Sequence, residues 1–236
     1  MRYTKALTFS FDDGVTQDVR LIEIFNKYNL KATFNLNSGL LGKPNTLLID
    51  GKEINHNKVL PEDVAQIYKG HEVAVHTLTH PRLPACTREE VIRQVEEDRL
   101  ALSKLVGYEV IGMAYPCGGV NNNDEVAQII RENTGVKYSR TITSTDSFTP
   151  QENLYRFNPT THHQRGWEKL FAIGEEFLKL QAETPQLFYL WGHSYEFDVD
   201  DSWDKIEDFC RMMSGRDDIY YGTNRDVLLG EWIGKE

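Results

Sequence analysis

The sequence predicts an α/β fold, a (β/α) barrel of about seven parallel strands, TIM-barrel-like, and three observations lead there. Short runs of β-branched and aromatic residues alternate with longer stretches of helical period. The alternation repeats about seven times along the chain. No glycine-rich phosphate fingerprint accompanies it, which argues against a doubly wound sheet. With 236 residues, 40% of them hydrophobic and 26% charged, the chain is expected to form a single domain over 1–236 with a full core.

Taken in order, strands are expected at 5–11, 31–36, 72–75, 110–115, 136–141, 154–157, 186–191 and 218–221, and helices at 17–28, 61–69, 87–106, 123–133, 166–182, 202–214 and 224–233. The clearest helix is 87–106: Thr87 can cap it, Glu90 stands three residues on as in a capping box, and Val91, Val95, Leu102 and Leu105 make an apolar stripe. The stretch 37–60, with Gly39, Gly42, Pro44, Asn45 and Gly51, reads as an inserted loop carrying a small hairpin. Residues 155–167 read as a loop with His162 and His163 in solvent, and the acidic run at 196–201 as an exposed loop leading into a helix.

In a barrel, side chains at the C-terminal strand ends build the active site. Three strand ends carry suitable residue types. The first ends in SFDDG, placing Asp12 and Asp13 side by side, a pair whose repulsion calls for a bend or a bound cation. The third runs into HTLTH, where His76 and His80 are four apart; one helical turn would bring both imidazoles to one face. The seventh, LFYLWGH, delivers His193. Each has a plain structural explanation alone: a turn and helix cap, a surface pair, a loop histidine. Together, two histidines and one carboxylate make a three-donor site for zinc or a similar divalent ion, open to water and substrate.

In order and spacing, SFDDG, HTLTH, AYPCGG and LWGH resemble the motifs of the NodB-homology polysaccharide deacetylases, the family-four carbohydrate esterases, over roughly residues 5–195. The resemblance implies a distorted (β/α) barrel and removal of an acetyl group from an acetylated sugar or polysaccharide. It implies Asp12 as general base, Asp13, His76 and His80 as ligands of a divalent metal (zinc first, cobalt or nickel as alternatives), His193 as general acid and the Cys117 N–H as oxyanion donor. Tyr115, Arg156, Trp191 and Tyr195 are the expected substrate contacts. Where the family carries an arginine beside the base this chain has Ala114, and Arg156 is the expected substitute cation. Cys117 replaces an aromatic residue, and the tryptophan-bearing fourth motif has no counterpart between 141 and 165.

Other classes fit less well. A net charge of −10 disfavours a nucleic-acid or other polyanion partner. Cys86, Cys117 and Cys210 are too scattered for a disulfide framework and are expected to be reduced thiols. No export signal or membrane span is legible, so a cytoplasmic site is expected; a chain trimmed of its leader would read the same and be extracellular. The competing enzyme reading is a metal-dependent amidohydrolase acting on a small amide, formamide or ureide. A catalytically silent carbohydrate-binding domain is the reading outside enzymes, and it leaves the carboxylates and histidines without a use.

Overall fold

The computed structural model describes residues 3–230 and 232. Its first strand, β1 (Lys5–Asp12), is buried over its whole length and explains the rest of the architecture. Alternate residues face opposite ways. Leu7, Phe9 and Phe11 join the main apolar core with Phe25 of helix α1 (Asp18–Lys27), whereas Thr8, Ser10 and Asp12 make polar bonds to other strands and their flanks. The apolar layer therefore lies between strands and helices, and the polar layer lies inside the strand ring.

The ring is parallel throughout. On one side of β1 stand β2 (Ala32–Leu36), β5 (Glu72–Val75), β6 (Gly112–Ala114) and β7 (Tyr138–Arg140); on the other stand β9 (Gln186–His193) and the two-residue β8 (Thr161–His162). Seven strands thus form the path, and β10 (Ile219–Tyr221) pairs with the N-terminal half of β1 below β2. Closure comes from one bridge between Arg140 and Phe157, where Phe157 N donates to Ser139 O and Thr141 N to Phe157 O. The result is a distorted barrel, as expected. Its lower end is plugged by Ala6, Phe157, Leu187, Tyr189, Val227 and Trp232.

The helices follow the periodicity. Besides α1 they are α2 (Val64–Ile67), α3 (Arg88–Val106), α4 (Asp124–Asn133), α5 (Trp167–Lys179), α6 (Glu196–Val199), α7 (Trp203–Met213) and α8 (Asn224–Leu229). Thr87 caps α3 through the Glu90 N–H, and Gly107 ends it at φ 76°. The Glu90 carboxylate does not reach back in a capping box; Arg93 and Gln94 take it instead. Among the described residues no helix is long and apolar enough to cross a membrane.

Four expectations fail for local reasons. The segment 154–157 is a 3-10 turn because Asn153 Oδ1 accepts the Tyr155 N–H and folds the chain back. The stretch 61–69 divides into a 3-10 turn begun by Pro61 and the short α2. The acidic run starts as helix α6 with Glu196 and Phe197 buried. The helix at 224–233 ends at Leu229, and residues 231 and 233 lie outside the described residues. The insertion does hold a hairpin, β3 (Thr46–Ile49) with β4 (Lys52–Asn55).

Candidate active site

The strand ends converge as expected. Asp12 ends β1 in register with Asn35 of β2 and His193 of β9. Asp13 then turns out of the strand at φ 84°, followed by Gly14 at φ 62°, so two neighbouring carboxylates reach one site through left-handed backbone. Thr77, His80 and Cys117 are also left-handed, at φ 69°, 62° and 70°. Such conformations cost about 1–3 kcal/mol each in a non-glycine residue and persist only where surroundings hold them. HTLTH is accordingly no helical turn. Its shape is set by Asn37, whose amide donates to the carbonyls of His76 and Thr77, and by Thr77 Oγ1, which accepts the His80 N–H at 3.1 Å.

Asp13, His76 and His80 offer three donor atoms within 4.8 Å of one another. Asp13 Oδ1 lies 3.9 Å from His76 Nε2 and 3.6 Å from His80 Nε2. His76 Nδ1 sits 2.9 Å from the Ala114 carbonyl, which can only accept, so the proton is on Nδ1 and the Nε2 lone pair faces the site. Burial drives the His76 pKa down to about 4, keeping the ring neutral. Burial lowers His80 as well, and Asp13 is held well below the usual carboxylate range although burial opposes it, by the His56 hydrogen bond and the Lys58 charge. A carboxylate and two neutral imidazoles fit a divalent cation of the zinc type.

Asp12 has different company. Arg140, fully buried at the end of β7, reaches across the barrel: Nη2 donates to both carboxylate oxygens, at 2.6 Å to Oδ1, and Nε donates to Ser10 Oγ at 3.3 Å. Asn35 Nδ2 adds a bond to Oδ1 at 2.8 Å, and the guanidinium stacks on Trp191 at 4.3 Å. Burial alone would raise the Asp12 pKa; the Arg140 charge, followed by His76 and His193, takes it below its ordinary value. The cation beside Asp12 is therefore Arg140 and not Arg156. Arg156 lies in the 3-10 turn, where it pairs with Asp124 at 2.5 Å and donates to Asn122 at 2.8 Å. The turn that replaces a strand at 154–157 is what carries it away.

His193 faces the same cavity. Its Nδ1 is 3.2 Å from Glu196 Oε1, and its N–H donates to Glu196 Oε2 at 3.0 Å. Burial disfavours the imidazolium, but Glu196, with Asp13 and Asp12, overcomes it and raises the pKa to about 9. Glu196 also has His162 Nε2 at 3.4 Å and His163 Nε2 at 2.7 Å, so neither histidine is a solvated loop residue. His163 is fully buried against β9 at Gly192, where a Cβ would stand 1.9 Å from its ring. His162, His193 and Glu196 are spaced closely enough to suggest a second metal centre. The hydrogen bonds argue otherwise: Gln164 N–H donates to His162 Nδ1 at 3.0 Å, leaving the proton on Nε2, which points at the carboxylate.

The cavity between these groups measures about 260 Å³ and is lined by Asp12, Asp13, His76, His80, His193, Tyr115, Cys117, Gly118, Ile142, Trp191 and Tyr195. Of the expected contacts, Trp191, Tyr195 and Tyr115 line it, and the Tyr115 hydroxyl donates to Tyr155 O at 2.7 Å. Cys117 sits in a turn held by Asn121, which donates to its carbonyl at 2.8 Å, and by Arg82, which donates to Gly118 O at 2.8 Å. All three cysteines are free thiols. A larger hollow of about 500 Å³ by Arg131 and Tyr155 involves no strand end.

Fold and site together define a class: a (β/α) barrel whose C-terminal mouth gathers three candidate metal-donor side chains, a carboxylate paired with a buried arginine and a histidine paired with a buried glutamate. The sequence profile of the polysaccharide deacetylase family matches residues 2–138, more than half of the chain, and the protein belongs to that family. The peptidoglycan-N-acetylglucosamine deacetylase PgdA of Listeria monocytogenes is 27% identical over 119 residues, 50% of this chain and 22% of that protein. This chain therefore spans under a quarter of the length of that relative. A putative polysaccharide deacetylase from Mycobacterium smegmatis shares the fold with a TM-score of 0.69 at 15% identity, covering 96% of this chain and 90% of that one. A family 4 acetyl xylan esterase from Clostridium thermocellum, solved in complex with a cobalt ion, follows with a TM-score of 0.56 at 13% identity over 98% and 93% of the two chains.

Proposed function

We propose that this protein is a metal-dependent hydrolase that removes an acetyl group from an acetylated sugar. One observation carries the reading: a carboxylate held ionised by Arg140 and an imidazole held protonated to about pH 9 by Glu196 face one cavity across a cluster of three metal-donor atoms. Asp13, His76 and His80 would hold the ion, with zinc first and cobalt, the ion named in the Clostridium structure, as an alternative. When bound, such an ion polarises an acyl carbonyl and makes water more acidic.

The chain's own residues do the rest. Asp12 Oδ2, within 3.9 Å of His76 Nε2, takes a proton from the attacking water, and Arg140 and Asn35 fix the direction in which it does so. The N–H of Cys117, in its braced turn, faces the developing oxyanion. His193 gives its proton to the departing nitrogen or oxygen while Glu196 holds the ring. Trp191 and Tyr195 offer faces to a sugar. The names of the relatives bracket the substrate, an N-acetylated sugar for PgdA and an acetylated xylan for the esterase.

The test is acetate release from N-acetyl and O-acetyl glycans by protein loaded with zinc or cobalt. Asp12→Asn and His193→Ala are each expected to lose ~10²–10⁴-fold in turnover, His193→Ala more on amides than on esters. Activity on small amides, formamides or ureides with no acetate from any glycan would replace this reading with the amidohydrolase one.

A further inference from the structure

The insertion between β2 and α2 does more than fill a gap. After the hairpin, residues 57–59 run antiparallel to the turn that follows Asp13: Val15 bridges Lys58, Thr16 N donates to Asn57 O at 2.9 Å, and Val59 N donates to Gly14 O at 3.0 Å. His56, just before this segment, and Lys58 within it bring two buried side chains onto Asp13. Lys58 Nζ donates to the Asp13 carbonyl at 2.8 Å, bracing the residue at its positive φ. His56 Nε2 lies 3.1 Å from Asp13 Oδ2. A carboxylate oxygen can only accept, so Nε2 carries the proton and Nδ1 accepts, as the Asn45 amide 3.0 Å away allows.

The hairpin is itself anchored. Gln17 Nε2 donates both to Asn55 O at 2.7 Å and to Asp198 Oδ2 at 2.8 Å, and Lys52 Nζ donates to Val199 O at 2.9 Å. The His56 ring rests edge-on against Tyr195 at 4.9 Å. The strap from β4 to α6 thus fixes the imidazole from behind.

We propose that His56 is a positioning residue for the metal: by holding Oδ2 in a hydrogen bond it fixes the carboxylate with Oδ1, the oxygen nearest His76 and His80, turned to the ion, so that Asp13 ligates through one oxygen. This rests on the metal reading above. Partners behind a ligand typically change metal affinity by ~10–100-fold when removed, through orientation and not through direct contact.

The experiment measures zinc and cobalt affinity by competition with a chromophoric chelator, and the visible absorption of the cobalt-loaded protein, for wild type, His56→Ala, His56→Phe and His56→Gln. Far-UV circular dichroism identifies the folded variants. His56→Ala and His56→Phe are expected to bind ~10–100-fold more weakly with an altered cobalt spectrum as the carboxylate becomes free to chelate. Phenylalanine keeps the packing against Tyr195, so it stands in if alanine fails to fold. His56→Gln, which retains an N–H donor, is expected to recover most of the affinity. Wild type that binds no ion would defeat the metal reading itself. Wild-type affinity and spectrum in His56→Phe, or a glutamine variant as weak as phenylalanine, would overturn the role of His56 alone.

Discussion

Two clusters of histidine and carboxylate stand at the mouth of this barrel, close in composition and opposite in the way their imidazoles are turned. In the first, His76 donates its Nδ1–H to the Ala114 carbonyl and turns a bare nitrogen towards Asp13 and His80. In the second, a backbone N–H occupies Nδ1 of His162, and the remaining proton points at Glu196, which His193 and His163 also approach. The far nitrogen sets the difference: a carbonyl behind the ring leaves a bare nitrogen free to bind a cation, and an N–H behind it leaves a hydrogen-bond donor facing the carboxylate. Residue type and spacing alone would have given both clusters the same role.

The largest test of this difference is metal content. His76→Ala is expected to abolish tight binding of the single divalent ion and all turnover with it, whereas His162→Ala should keep one ion per chain; two ions in the wild type would erase the distinction. Next comes the charge that serves the base. Arg140→Met leaves the Asp12 carboxylate buried without its partner, which is expected to destabilise the fold by about 3–5 kcal/mol. Because the Asp12 pKa is depressed, its contribution to stability is present above the ordinary carboxylate pKa and lost as pH falls, and the variant should move the acid limb of kcat/KM to higher pH. An unmoved limb would show that another charge suffices.

The smallest effect, and the one most specific to the second cluster, is expected for Glu196→Gln. His193 is raised to about 9, so its stabilising contribution is complete below its unperturbed pKa of ~6.5 and disappears as pH rises to about 9. Without the carboxylate the basic limb of kcat/KM should fall towards that lower value while metal content stays constant. A basic limb still near 9 would transfer the credit to Asp12 and Asp13.

Much of this was legible in the sequence because strand ends are. SFDDG closes an alternating run and LWGH a continuous apolar one, both strand-like, so the barrel rule located Asp12, Asp13 and His193 from pattern alone. Arg140 obeys the same rule at the end of a three-residue strand and is readable in the same way, although YRF points to Arg156 instead. The separation came from Asn153, whose side chain converts a strand-like YRF into a turn. Glu196 and His56 were not readable in this way. One lies in an acidic run that looks solvated until helix α6 buries its first residues, and the other reaches the site only through the path of an insertion.

The ring of strands has a seam. β1 is paired with β9 along its whole length, but closure between β7 and the chain leading into β8 depends on the hydrogen bonds at Phe157. Arg140 is the residue on β7 at that bridge. A seam joined this thinly is expected to open before the central strands do, and its opening would loosen the guanidinium from Asp12. Warmed gently, the protein is expected to keep its shape while Asp12 loses its partner, so that whatever work rests on that carboxylate fades ahead of the fold.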